Sequence, residues 1–371
     1  MTFSQDVLKQ DERAILGLRE LYRSYGYAQF KMSKFEEYDL YVRNKSFLVS
    51  DHIITFTDTN GKLMALKPDV TLSIVKNSKD TPDTVQKVYY DENVYRISGG
   101  HASYREIMQA GLECIGGVDD YCIAEVLSLA CESLSQISPD FVLDVSHLGI
   151  LTAVLDAIPT SDEGRAKLLR CVSEKNLHGM DEICRAEGID PNGIEPLKKL
   201  VTGYGDAESV LAALKDLLDG AAIPMLDELA RILSAVPSDR IRIDFSVTGD
   251  LGYYNGIVFK GFIQGIPQSI LSGGQYDNLM RRMGRKSRAI GFALYLDLLE
   301  ELEYTPRDYD VDTVLLYEDT VPLAYLTKTV RELTRNGEIS VQALRAVPEK
   351  LRYKTLLKLT EKGVETIETN A

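Results

Sequence analysis

Two stretches of this chain combine the residue types from which a small-molecule site can be built. They are Gly249-Asp250-Leu251-Gly252-Tyr253-Tyr254-Asn255-Gly256 and Ser272-Gly273-Gly274-Gln275-Tyr276-Asp277. Glycine lets a backbone approach a ligand closely, and Tyr253, Tyr254 and Tyr276 supply ring faces and hydroxyls, although tyrosines are equally at home as core aromatics of a sheet. In Leu66-Lys67-Pro68-Asp69-Val70-Thr71 the carboxylate of Asp69 and the hydroxyl of Thr71 are the acceptors an ammonium needs. The same run also reads as the start of a helix, with Pro68 early and Asp69 near the positive helix end. Along Glu106 to Gly116, period-2 alternation puts Gln109, Gly111 and Glu113 on one face of a strand, where an amide and a carboxylate can receive N–H donors. The frame suits an amino acid. Neither tyrosine-bearing stretch offers the cationic side chain that chemistry on a phosphate would need.

The elements that must hold these residues follow from hydrophobic period and turn chemistry. Asp11 to Tyr25 shows a helical apolar stripe. Ile53 to Thr57 and Leu63 to Leu66 flank Asp58-Thr59-Asn60-Gly61, a hairpin signal. Val85 to Arg96 and Glu106 to Ile115 read as long strands, Cys122 to Leu134 as a helix, and Phe141 to Val145 as a strand. Residues 148 to 238 read as successive helices broken at Ser161-Asp162, Asp190-Pro191 and Gly203-Tyr204-Gly205, a helical insertion. Strands are expected again at Ile241 to Phe245, Gly256 to Phe262 and Gln268 to Leu271, with helices at Tyr276 to Met283 and Phe292 to Leu302. After a linker at Tyr304 to Asp308, a small α/β unit is expected: strand Val311 to Tyr317, helix Leu323 to Arg335, a strand near Ile339, helix Glu349 to Glu361, and strand Val364 to Ile367. Such a unit is near the lower size limit for independent stability.

Composition narrows the class. The 371 residues exceed one compact core, and 44% hydrophobic with 26% charged residues is ordinary for a globular protein. There is no apolar run long enough to span a membrane and no basic, apolar leader in Met1 to Asp6, so a cytoplasmic location is expected. Cys114, Cys122, Cys131, Cys171 and Cys184 have no C-x-x-C spacing and read as reduced, mostly buried thiols; His52, His101, His147 and His178 show no metal-ligand pattern. The net charge of −14 weighs against nucleic-acid binding, which feeds on basic faces, though it also serves plain solubility. Arg345, Lys350, Arg352, Lys354 and Lys358 form a basic stretch that reads as the solvated face of a helix.

Taken together the motifs resemble the histidyl-tRNA synthetase family of class II synthetases. The tyrosine-pair and glycine-pair stretches resemble its two histidine signatures. Arg96, the loop to Arg105, and Gln109-x-Gly111-x-Glu113 resemble motif 2; Ala289 to Leu299 resembles motif 3; and Phe30 to Tyr41 resembles motif 1, with Ser33 near the usual proline. The resemblance implies an α+β fold: a class II aminoacyl-tRNA synthetase-like antiparallel sheet flanked by helices, with a helical insertion (about 148–238) in a domain 1–305. Residues 306–371 would be a small C-terminal α/β domain like a shortened anticodon-binding domain. It further implies that Asp69 and Thr71 face an α-amino group, Arg96 faces carboxylate and phosphate, Tyr254 and Glu113 bracket an imidazole, and Tyr253 and Tyr276 line the pocket.

The departures fall on one side. Gly249 and Leu298 stand where the family has arginines that serve the reaction, and Ser98 and Gly99 replace a glutamate and an arginine that orient the nucleotide. Keeping the amino-acid pocket while losing these groups resembles the synthetase-like regulatory subunits of ATP phosphoribosyltransferase. That resemblance implies no catalysis, cofactor or metal, and histidine as effector. It also implies a short-form catalytic subunit as partner, a homodimer within a hetero-octamer, and no membrane or tRNA binding. The alternatives are a divergent histidine–tRNA ligase or another synthetase-like paralogue that binds RNA or protein.

Overall fold

The computed structural model describes residues 8–45, 48, 53–97, 103–249, 253–302, 308–335 and 339–370. Expectations resting on Met1 to Asp6, His52, Ser98, Gly99, His101, Asp250 to Gly252 and most of the linker (304–307) lie outside these residues. The chain divides into a larger unit, Gln10–Leu302, and a smaller one that holds the described residues from 308 onward.

The larger unit begins with helix α1 (Gln10–Ser24), strands β1 (Ala28–Gln29) and β2 (Phe35–Glu37), helix α2 (Tyr38–Arg43), strands β3 (Thr55–Thr57) and β4 (Leu63–Leu66), and helix α3 (Thr71–Asn77). The Asn-Gly turn forms as expected: β3 and β4 pair antiparallel, and Gly61 takes the left-handed φ of 78° that the turn requires. The long strands β5 (Val85–Ile97) and β6 (Tyr104–Gly116) pair antiparallel along their length. Next come α4 (Asp120–Ile137) and β7 (Phe141–His147), then six helices from α5 (Leu148–Asp156) to α10 (Ala222–Ser234), which occupy the stretch read as an insertion. The polar breaks there are helix caps: Ser161 Oγ accepts Gly164 N–H at 3.0 Å, and Asp206 accepts Ser209 N–H at 2.9 Å. The unit closes with β8 (Ile241–Ile243), β9 (Ile257–Ile263), β10 (Leu271–Gln275), α11 (Asp277–Arg282), β11 (Arg288–Tyr295) and a 3-10 helix, Leu296–Glu301.

One sheet of eight strands, ordered β1-β5-β6-β11-β10-β9-β7-β8, organises this unit. It is antiparallel except for the β1–β5 and β7–β8 edge pairs. Alternation sorts its side chains. Leu112, Cys114, Phe259, Ile290, Phe292 and Leu294 point into the main core against helices such as α1 and α4. Each such fully buried side chain contributes about 1.5–3 kcal/mol. The opposite face carries a second apolar cluster, with Tyr41, Leu72, Tyr90, Tyr253 and Tyr276, and between its members lies the cavity described below. The fold is α+β: a mainly antiparallel sheet flanked by helices.

The smaller unit is a four-stranded sheet, β13-β12-β14-β15, built from β12 (Val311–Tyr317), β13 (Val341–Leu344), β14 (Tyr353–Thr360) and β15 (Gly363–Thr369), with helix α12 (Leu323–Leu333). The helix expected at Glu349 to Glu361 is therefore wrong. Both faces of β14 are covered: Leu356 packs with Val311 and Val314, while Leu359 packs with Leu315 and Val321. A strand covered on both faces loses the alternating pattern, and its apolar residues three apart imitate a helical stripe. Two other boundaries move. The strand expected at Gln268 to Leu271 starts only at Leu271 and runs through the glycine pair, and the helix expected from Phe292 is still strand until Tyr295.

Candidate functional site

All eight residues singled out from the sequence (Asp69, Thr71, Arg96, Gln109, Glu113, Tyr253, Tyr254 and Tyr276) line a single cavity of about 660 Å³, a normal size for a small-molecule site. Strand β6 presents Gln109 and Glu113 from one wall. The β4–α3 junction brings Asp69 and Thr71, the end of β5 brings Arg96, and the segments flanking β9 and β10 bring the tyrosines.

Glu113 is the centre of this arrangement and is 2% exposed. Thr71 Oγ1 donates to its Oε1 at 2.7 Å, and the Tyr276 hydroxyl donates to its Oε2 at 2.7 Å. Burial pushes the Glu113 carboxyl up to about 8; the two hydroxyls oppose this and the charge of Asp69 adds to it. Asp69 is raised as well, chiefly by burial, against the pull of Arg96 and the backbone N–H groups of Leu72 and Thr71. Its Oδ1 accepts Leu72 N–H at 2.8 Å, as the helix-start reading of this residue expects. Two buried carboxyls, both raised chiefly by burial and one raised further by the other, make a place where a cation is stabilised.

Arg96 does not cancel that demand. Its Nε donates to the Pro68 carbonyl at 2.6 Å, which ties it to the Asp69 loop, and its terminal nitrogen stands 3.9 Å from Asp69 Oδ2. The Nε2 of Gln109 is buried with no hydrogen-bond partner among the described residues, leaving a donor that faces the cavity. Tyr253 and Tyr254 meet edge to face at 4.6 Å between ring centroids, and Tyr253 is tilted against Tyr276 at 5.8 Å. Burial raises all three phenols, which keeps them protonated as donors.

Two glycines are dictated by this geometry. A β-carbon at Gly291 would stand 1.8 Å from Glu113 Oε2 and 2.4 Å from the Leu112 carbonyl, so no side chain fits behind the carboxylate. Gly249, with φ of 55°, lies against the Tyr254 ring, and a β-carbon there would stand 3.0 Å from Cδ2.

The far end of the cavity differs. Gly249, Ala293 and Leu298 contribute to its wall together with Gln268, Ser269 and Ser272. Where motif-3 resemblance placed an arginine, the wall has the aliphatic Leu298. Sequence reasoning missed Tyr90 and Lys260, which also line the cavity. Tyr90 had a signal, since it alternates along the long strand β5 with Arg96 on the same face; Lys260 had none within its own strand. Of the histidines described, His147 caps α5 through Nδ1, accepting Ile150 N–H at 3.3 Å, and burial lowers it to about 4. The five cysteines are free and buried, and no group of described residues could hold a metal ion. No helix among the described residues is long and apolar enough to cross a membrane.

The sheet and its cavity define a class II aminoacyl-tRNA synthetase-like protein. The sequence profile named Histidyl-tRNA synthetase matches residues 5–299, and the chain belongs to that family. It is 28% identical over 321 residues to an ATP phosphoribosyltransferase regulatory subunit of Oceanobacillus iheyensis, covering 84% of this chain and 78% of that one. It is 30% identical over 353 residues to a histidine–tRNA ligase of Methanococcus vannielii, covering 91% and 83%. Among solved structures, the ATP phosphoribosyltransferase regulatory subunit/histidyl-tRNA synthetase of Bacillus halodurans superposes with a TM-score of 0.73 at 21% identity, covering 94% and 93% of the two chains. A chain of the ATP phosphoribosyl transferase (HisG:HisZ) complex of Thermotoga maritima gives 0.62 at 20%, covering 77% and 97%. The resemblance to regulatory subunits read from the motifs is borne out by these relatives. Identity alone ranks ligases and regulatory subunits together, so the site has to separate them.

Proposed function

We propose that this chain is a non-catalytic regulatory subunit of ATP phosphoribosyltransferase. It acts with a short-form catalytic subunit in the first step of histidine biosynthesis and makes that step inhibitable by histidine. The observation that carries this reading is the asymmetry of the cavity. Asp69, Thr71, Gln109, Glu113 and the three tyrosines surround one end with acceptors and donors suited to an ammonium and an imidazole. At the two positions where the family carries arginines, Gly249 and Leu298 offer no charge to a triphosphate. Adenylate formation needs positioned cations, and removal of one such group commonly costs a factor of about a hundred to a thousand.

In this reading the eight residues form the histidine pocket, and inhibition follows because histidine favours one conformation of the complex. A coupling of about 1–3 kcal/mol is enough. The working form is a homodimer inside a hetero-octamer in the cytoplasm, built from domains 1–305 and 306–371. The C-terminal unit, a shortened anticodon-binding domain, has no role toward tRNA. Its basic stretch supports this: Arg345, Arg352 and Lys358 are paired with Asp319, Asp310 and Glu318.

The test is to mix the purified chain with a short-form catalytic subunit. Phosphoribosyl transfer from phosphoribosyl pyrophosphate to ATP should rise on mixing and fall when histidine is added. Activity of the catalytic subunit that ignores this chain would reject the proposal. A second reading, a divergent histidine–tRNA ligase, is favoured by the 30% identity to the Methanococcus enzyme and predicts histidine-dependent ATP–pyrophosphate exchange instead.

A further inference from the structure

We infer that Lys260 is the counter-ion for the carboxylate of the amino acid held in this cavity. This rests on the histidine reading of the site and deepens it. The inner end, with Asp69 and Glu113, takes the positive part of a zwitterion, so its carboxylate must find a cation elsewhere. Among the described residues only Arg96, Arg105 and Lys260 bring a lysine or arginine to the cavity wall. Arg96 is spent on the Pro68 carbonyl and Asp69.

Register separates the other two. Arg105 is on the same strand as Glu113 but eight residues away, which at about 3.4 Å per residue is roughly 27 Å between Cα atoms. Lys260 lies in a row that crosses the sheet from Gly111 through Ala293 and Ser272. That is three strand spacings and two residue rises from Glu113, roughly 16 Å between Cα atoms. A glutamate and a lysine reaching toward each other over that span leave the length of one amino acid between carboxylate and ammonium.

The neighbours of Lys260 leave it available. It is half-buried, and no ion pair or hydrogen bond of its ammonium occurs among the described residues. Asp144, opposite it across the β7–β9 ladder, sits instead in the field of Asp244, Lys175 and Arg242. Two residues back on the same face of β9, Val258 Cγ1 lies 3.8 Å from where a β-carbon on Gly249 would be. Lys260 therefore stands one pleat along β9 from the wall where Val258 and Tyr254 meet Gly249.

The experiment is calorimetric titration of the full chain with L-histidine and with histamine, which lacks the carboxylate, for the wild type and for Lys260→Met and Lys260→Arg. Wild type should bind L-histidine more tightly than histamine. Lys260→Met should weaken L-histidine roughly ten- to a hundredfold, the weight of a charged hydrogen bond, and leave histamine unchanged. Lys260→Arg should restore most of the preference. If Lys260→Met keeps the preference for L-histidine, or weakens both ligands equally, Lys260 is a structural residue and the inference fails while the histidine site stands. If the wild type binds neither ligand, the histidine reading fails and takes this inference with it.

Discussion

The two ends of one cavity have been built to different standards. At the inner end Glu113 is gripped by two hydroxyls, Asp69 accepts the Leu72 N–H at the start of α3 and faces Arg96, Gly291 clears the space behind the carboxylate, and Gln109 Nε2 keeps a donor in hand. At the outer end the wall is glycine, alanine, leucine and small polar side chains, with Lys260 in register with Ser272 as its cation. The sheet that carries both ends is the same, so the difference is one of side chains and not of fold. It teaches that binding and reaction make separable demands: a pocket needs acceptors and shape, whereas phosphate chemistry needs fixed positive charge.

The sharpest way to break this contrast is at Gly291. Gly291→Ala should displace the Glu113 carboxylate, destabilise the chain by about 1–3 kcal/mol through overpacking, and abolish histidine binding. Urea melts and calorimetry check both effects. Glu113→Ala and Tyr254→Ala come next. Each should leave activation of a catalytic subunit intact while histidine inhibition shifts to roughly tenfold or higher concentrations, read from inhibition curves. Unchanged inhibition in both variants would move the sensor away from the inner end.

A gentler change sharpens the electrostatic half. Glu113 keeps its proton to about 8 when folded against 4.5 as an unperturbed carboxyl. Between these values the unfolded chain releases the proton and the native state holds it, so Glu113 makes stability fall as pH rises through that window. Glu113→Gln should lack this contribution. Its stability relative to wild type should therefore be higher at pH 8.5 than at pH 4.5, as measured by urea midpoints. A cationic ligand should ionise Glu113 and release a proton on binding, visible as buffer-dependent heat. The smallest effect is expected at the outer end. Leu298→Arg should barely alter histidine affinity, and one restored cation should not bring adenylate formation with it.

How far the sequence could be read follows the same physics. The sheet face that bears Gln109 and Glu113 was legible because one side of β6 is apolar core and the other is site, which produces strict alternation. The Asn60-Gly61 turn and the helix break at Ser161-Asp162 were legible because their chemistry is local, whereas the cap at Asp206 appears only in the structure. Strand β14 was not, because apolar contacts on both of its faces hide the period of two. The short strands β1 and β2 exist only through partners distant in sequence, Val88 and Tyr89 for the first and residues 64–66 for the second. In the site, Asp69 satisfied two readings at once, a capped helix start and a cavity wall. Lys260 was passed over because an isolated lysine in a strand carries no motif, and only the register with Ser272 and Gly111 places it.

Histidine-dependent ATP–pyrophosphate exchange by the purified chain tests the central claim most directly. The account predicts background rates even with histidine saturating the pocket. Exchange at about one turnover per second or faster, the ordinary range for an enzyme, would show that the outer end supports adenylate chemistry and would contradict it.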